Sequence, residues 1–213
     1  MKRLAKPAVF VAALLPFAWL LFRTLTGRLS VNPIEDLTLT TGIWTIRMLV
    51  LTLAITPLRR LTGWNRVVQY RRMLGLFTFF YASLHLATYF VDQGFALKFI
   101  LADIAKRPFI TMGMIAFALM VPLALTSTKG WIRRLGKKWQ LLHRLIYVSG
   151  AAAAVHYLWK VKLATGSPVY YASIVGTLLA FRIYWALRQR QKTVTPAGNV
   201  RPRTSRGYPR SIG

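Results

Sequence analysis

The 213-residue chain contains no cysteine. Disulfides, Cys-ligated zinc and Cys-ligated iron–sulfur clusters are excluded with it. Acidic residues are nearly missing as well. Glu35, Asp36, Asp92 and Asp103 stand against 30 lysines and arginines, a formal net charge of +26. A soluble fold with that imbalance would repel itself and gather polyanions. Charged residues make up only 16% of the chain, whereas soluble domains carry about 25%. An ordinary soluble enzyme is largely ruled out. A disordered basic protein fits no better, because those are poor in apolar residues and 55% of this chain is apolar or aromatic. Alternating polar and apolar strands are absent, which argues against a membrane β-barrel. There is no Gly-rich nucleotide loop, and no internal repeat is evident. The longest loop between apolar stretches is 19 residues, too short for a flavin or nicotinamide domain. Any redox role must borrow its electron donor.

What is present is six apolar stretches, at 7–22, 42–58, 73–91, 109–126, 141–159 and 168–187. Each is about the length that crosses a ~30 Å hydrocarbon core at ~1.5 Å per residue. Backbone polar groups in lipid need internal partners, so the stretches are read as helices. The fold expected is an all-α integral membrane protein, a six-transmembrane-helix bundle occupying residues 1–187. The first stretch follows Lys2, Arg3 and Lys6 as a signal peptide would, but no A-x-A-like site follows, and it is read as retained. Pro16, Pro57 and Pro122 are read as tolerated kinks. Residues 188–213 are basic and aperiodic, and are expected to form a disordered cytoplasmic tail held near anionic lipid.

Lysines and arginines outside the stretches divide unevenly. Twenty fall on the side of the N-terminus, loops 59–72 and 127–140 and the tail; seven fall on the other side. The positive-inside rule then places both termini in the cytoplasm. Trp44 and Trp159 fall at the outer boundary and Trp185 towards the inner one, as aromatic belts do. Topology accounts for the charge, and nucleic acid is not an expected partner.

All three histidines lie in apolar stretches, where an ionisable residue is by default a functional hypothesis. His85 lies twelve residues from the cytoplasmic end of its stretch, ~18 Å deep, and His156 fifteen residues from its own, ~22 Å deep. The two share the outer half of the membrane on helices running the same way, which suits two axial imidazoles gripping one haem iron. His143 is only two residues in, thirteen residues or ~20 Å from His156 along the helix. On an ideal helix those two histidines would point about 140° apart. Thirteen residues before His85 stands Arg72, next to Arg71. Arg72 is a cytoplasmic-boundary charge, a partner for a haem propionate, or, least in keeping with its permanent protonation, an iron ligand. Arg47 either pairs with a propionate or snorkels. The small residues Gly150 to Ala154, with Gly75 and Ala82, leave room for a flat ring or serve plain helix packing. Three histidines could bind zinc or copper, but the depth gap separates His143. A proton-coupled transporter would usually carry intramembrane carboxylates, and all four acids fall in outer loops. A haem-free scaffold is the remaining alternative.

Four runs carry a family resemblance: RRMLGLFTFFYASLHLATY (71–89), RPFITMG (107–113), LTSTKGWIRRLGKKWQLLHRLIYV (125–148) and HYLWKVK (156–162). They closely resemble the MsrQ family, haem-binding membrane subunits of methionine sulfoxide reductase systems, in the ferric-reductase-like transmembrane group. The resemblance covers roughly residues 8–187. It implies one or two b-type haems bound by His85, His143 and His156. It also implies electron transfer across the bacterial inner membrane to a periplasmic molybdopterin reductase, MsrP, which repairs oxidised periplasmic proteins. An associated FMN is implied, with the quinone pool or a cytosolic flavin reductase as donor. No substrate catalysis is expected in this chain alone. The wider group carries two histidines on each of two helices; Arg72 stands where the fourth would be.

Overall fold

The structure, a computed structural model, describes residues 5–160 and 166–194. The described residues are helical apart from short turns, with no strand among them. The elements are α1 (Ala5–Leu25), α2 (Pro33–Thr62), a 3-10 turn (Asn65–Tyr70), α3 (Arg71–Asp92), α4 (Leu97–Lys106), α5 (Pro108–Leu125), α6 (Lys129–Leu135), α7 (Lys137–Leu142), α8 (Leu145–Lys160) and α9 (Ser167–Val194).

Helix ends follow local chemistry. Asn32 caps α2 by accepting a hydrogen bond from the Glu35 amide at 3.3 Å, Pro33 opens the first turn, and Glu35 and Asp36 face the positive end of the helix dipole. Gly63 ends α2 in the left-handed conformation, φ +69°, with its amide on the Arg59 carbonyl, a geometry glycine adopts without strain. Asp36 also accepts from Arg23 at 2.7 Å, which ties the end of α1 to the start of α2.

The bundle is built from two hairpins. α2 packs most extensively on α3, and α5 on α8, while α9 lies over α2 and α8. One core cluster joins Met48, Ile55, Phe77 and Tyr81; a second joins Ile46, Leu49, Leu53, Leu123, Ile146 and Val175. Outer surfaces stay apolar: Phe10, Leu15 and Trp19 on α1 and Ile183, Tyr184 and Leu187 on α9 are exposed. A soluble monomer rarely shows such patches, whereas lipid is their natural neighbour. Five helices are long and apolar enough to cross a membrane: α1, α2, α3 with its preceding turn, α5 and α9.

The fifth expected stretch, 141–159, differs. It is not one uninterrupted helix. α7 stops at Leu142, and α8 starts at Leu145 and is described over 16 residues, to Lys160, ~24 Å at 1.5 Å per residue. The break occurs because the chain tightens to i→i−3 hydrogen bonds there, from Arg144 to the Leu141 carbonyl and from Tyr147 to that of Arg144. At the other end of the chain, α9 continues to Val194. The first residues of the expected disordered tail are therefore helical, and the rest of that tail lies outside the described residues.

Several polar groups inside the bundle find partners, although Arg182 Nε has none among the described residues. Ser149 donates across helices to the Ala116 carbonyl at 2.8 Å. Arg182 donates to the Tyr147 hydroxyl at 2.6 Å and the Leu53 carbonyl at 2.8 Å. Tyr81, 1% exposed, inserts its hydroxyl into a turn of α1 beside Pro16. It donates to the Ala13 carbonyl at 2.8 Å and accepts from the Phe17 amide at 3.1 Å. With the Arg23–Asp36 pair and the Phe10–Phe77 and Phe17–Phe80 ring contacts, it holds α1 to the bundle. Tyr81→Phe is expected to cost ~0.5–2 kcal/mol, the range for hydrogen bonds between membrane helices. Thermal denaturation of the purified protein in detergent reads the loss.

Candidate functional site

The two hairpins bring His85 and His156 together. His85 projects from α3 and His156 from α8, with ring centroids 6.1 Å apart and ring planes at 74°. Each ring is held from behind by the first helix of its own hairpin. His85 Nδ1 lies 2.9 Å from the Thr38 carbonyl on α2; His156 Nδ1 lies 2.6 Å from the Phe109 carbonyl on α5. A carbonyl can only accept, so in both rings Nδ1 carries the proton and donates. Nε2 keeps the lone pair, which is the tautomer that binds a metal.

Both rings line a cavity of about 270 Å³ between α2, α3, α5 and α8. Ala82 and Ala153 supply small walls to it, and Lys160 and Arg107 line it as solvent-exposed cations. Lys160 stands one turn beyond His156 on the same helix face. A second cavity, of about 450 Å³, lies next to the first and is lined by His143, Arg71, Arg72, Gly75, Trp139 and Arg144, among others. Met120 borders both. Phe79 lines the second and Phe117 the first, and their rings stack at 5.4 Å.

His143 sits in the break between α7 and α8. Its ring stacks on Trp139 at 3.8 Å, and its Nδ1 donates to the Trp139 carbonyl at 3.1 Å. Nε2 is buried with no hydrogen-bond partner among the described residues; the Leu123 carbonyl is nearby but makes no well-formed bond to it. A buried nitrogen left unpaired costs stability, and the Nε2 lone pair is free to take a ligand.

The sequence-predicted residues therefore divide. His85 and His156 share one cavity; His143 and Arg72 share the other. Arg47 lines neither: its Nε donates to the Tyr171 hydroxyl at 2.9 Å and its guanidinium covers Trp44 at 4.7 Å. The cations that do line the His85–His156 cavity, Lys160 and Arg107, figure in the sequence only as outer-side charges. The i, i+4 spacing from His156 to Lys160 is the signal that could have found one of them. Gly150 packs against Leu53 and Leu49 of α2, so it serves helix packing, while Gly75, Ala82 and Ala153 do border the cavities.

The chemistry of the donor set is specific. No group of three or more His, Cys, Asp or Glu side chains that could hold a metal ion occurs among the described residues. A bare zinc or copper ion would lack ligands here. Two facing imidazoles suit a metal that brings its own equatorial donors and needs only axial ones. Metal–imidazole bonds of about 2.0–2.1 Å, with each ring centre roughly 1.1 Å behind its nitrogen, would set the centres ~6.2–6.4 Å apart. The observed separation fits.

A pair of imidazoles held between paired helices at the edge of a cavity is the class of site this geometry defines. The family described as ferric reductase like transmembrane component matches residues 41–154. A protein from Herminiimonas arsenicoxydans is 50% identical over 205 residues, 94% of each chain. One from Ralstonia nicotianae is 46% identical over 202 residues, 93% of each chain. One from Brucella ovis is 45% identical over 194 residues, covering 90% of this chain and 88% of its own. All three bear the name protein-methionine-sulfoxide reductase heme-binding subunit MsrQ. The chain belongs to the MsrQ family, within the ferric reductase-like transmembrane proteins.

Proposed function

We propose that the chain is the haem-binding electron-transfer subunit of a methionine sulfoxide reductase system. The observation that carries this reading is the pair of Nδ1-anchored imidazoles, 6.1 Å apart between centroids, in a chain of this family. Bound b-type haem supplies a reversible one-electron couple at each site. His85 and His156 hold the iron of one haem. Lys160 would pair with a propionate and favour the reduced state, while Arg107, whose Nε is on Asp103 at 3.3 Å, would offer its remaining donors. His143 holds the other haem, and Arg72 faces it. Met120 and the stacked Phe79–Phe117 pair form the partition that electrons would cross between the two sites.

Residues 1–187 form the haem-binding membrane domain, with α7 and α8 together as the sixth crossing. Both termini lie in the cytoplasm of a bacterium, and the crossings span its inner membrane. This orientation rests on the excess of lysine and arginine in the 59–72 and 127–140 connections, and it puts the His143 cavity inside and the His85–His156 cavity outside. The electron acceptor is then the periplasmic reductase MsrP. The quinone pool or a cytosolic flavin reductase is the donor, with FMN as an associated carrier on the inner side. A reporter fused after Gly213 is expected to be active only in the cytoplasm; periplasmic activity would overturn the orientation. Membranes lacking this chain should leave the periplasmic reductase folded but without electrons. Full turnover of that reductase on the same donors in such membranes would overturn the partnership.

A further inference from the structure

Two glycines stand where alanine is the better helix former. Gly42 lies mid-α2 and Gly113 in α5. A Cβ on Gly113 would come within 2.8 Å of His156 Nδ1 and 2.9 Å of its Cε1. A Cβ on Gly42 would come within 3.1 Å of His85 Cε1 and 3.2 Å of its Nδ1. At both positions the three nearest atoms all belong to the imidazole, not to a helix backbone. Gly150 shows the contrast: its added Cβ would make ordinary contacts with leucine methyls at 3.5 Å and beyond.

The two arrangements are copies of each other. In each, a backbone carbonyl takes the Nδ1 proton, the glycine follows four residues later, and the histidine follows the carbonyl by 47 residues. Thr38, Gly42 and His85 in the first hairpin correspond to Phe109, Gly113 and His156 in the second, each 71 residues on. The same offset relates Arg72 to His143, the cavity wall Ala82 to Ala153, and the fully buried Thr78 to Ser149. No repeat is evident in the sequence alone, and the structure corrects that expectation. The device thus occurs twice, and no single packing accident accounts for both.

We infer that Gly42 and Gly113 are positioning residues that fix the planes of the His85 and His156 imidazoles, by letting each ring approach the opposing helix closely while its Nδ1–H is held by the carbonyl one turn earlier. The inference rests on the haem reading above. The carbonyl sets the direction of each ring and the glycine its tilt. Together they hold the planes at 74° to one another. Crossed axial imidazoles give oxidised haem a highly anisotropic low-spin signal; parallel ones give a rhombic signal. Ring orientation also contributes to the midpoint potential. The glycines therefore tune the outer haem without touching it.

The test compares the purified full-length, haem-loaded chain with Gly113→Ala, Gly42→Ala and Gly150→Ala. It uses low-temperature electron paramagnetic resonance, a reductive titration and a haem count. The wild-type outer haem should give the highly anisotropic signal. Gly113→Ala should shift that signal and the outer midpoint, leaving the inner component where it was. Gly42→Ala should do the same to a smaller extent, because its contact is softer. Gly150→Ala should match wild type. If Gly113→Ala fails to accumulate, Gly42→Ala decides alone, since its contact needs a shift of only a few tenths of an ångström. Glycine variants that keep wild-type signal, midpoint and haem count overturn the inference and leave the haem reading intact. A wild-type chain without haem overturns that reading instead.

Discussion

Replacing His85 by alanine is expected to abolish one of two haem signals outright, and replacing His156 should abolish the same one. The two rings line a single cavity with centroids 6.1 Å apart; Asp92 also lines it, but no group of three or more His, Cys, Asp or Glu that could hold a metal ion occurs among the described residues. Removing either imidazole leaves the iron with one axial protein ligand in a site otherwise walled largely by apolar residues. A six-coordinate low-spin haem cannot survive that change. Haem quantification should fall from two per chain to about one in both variants, and the remaining component should keep its midpoint. If His85→Ala and His143→Ala lost the same component while His156→Ala kept both, the pairing described here would be wrong.

His143→Ala should remove the other component and spare the first. The ring belongs to a separate cavity, it is braced by Trp139, and its Nε2 is a buried lone pair without a partner among the described residues. Arg72 lines the same cavity, so its effect should be confined to that haem. A nearby cation favours the reduced state, so Arg72→Ala should lower the midpoint. A unit charge ~10 Å away at an effective dielectric of ~20 is worth roughly 1.7 kcal/mol, or ~70 mV. Loss of the inner low-spin spectrum instead of a shift would place the guanidinium at the iron. A change in the outer haem alone would contradict the assignment of Arg72 to the inner cavity.

The pairing of His85 with His156 is legible in the sequence, because depth along a membrane helix follows from residue count at a fixed rise. The same arithmetic separates His143 from the pair. It does not reveal that the helix breaks at His143, since no proline or glycine stands at 143–145 to announce it; the break is written in i→i−3 hydrogen bonds. The propionate partner escapes residue counting for a related reason. Depth alone makes Arg47 a candidate, but rotation about the helix axis turns it to Tyr171 and Trp44. Lys160, which the sequence presents as one loop charge among several, stands on the face of His156.

The internal duplication is hidden because backbone atoms carry half of it. Thr38 and Phe109 share no side-chain chemistry, yet each offers the same carbonyl to a histidine. Arg72 and His143 likewise occupy equivalent positions with different chemistry. Of the paired site residues, only the glycines, the histidines and the cavity-wall alanines keep their identity, too few among 213 residues to stand out as a repeat.

The measurement that bears most directly on the central claim is a visible spectrum of the full-length chain, purified from haem-replete cells and titrated with reductant. The account predicts a reducible Soret band, sharp α and β bands on reduction, and two components with separate midpoints. A colourless protein from those cells would contradict it.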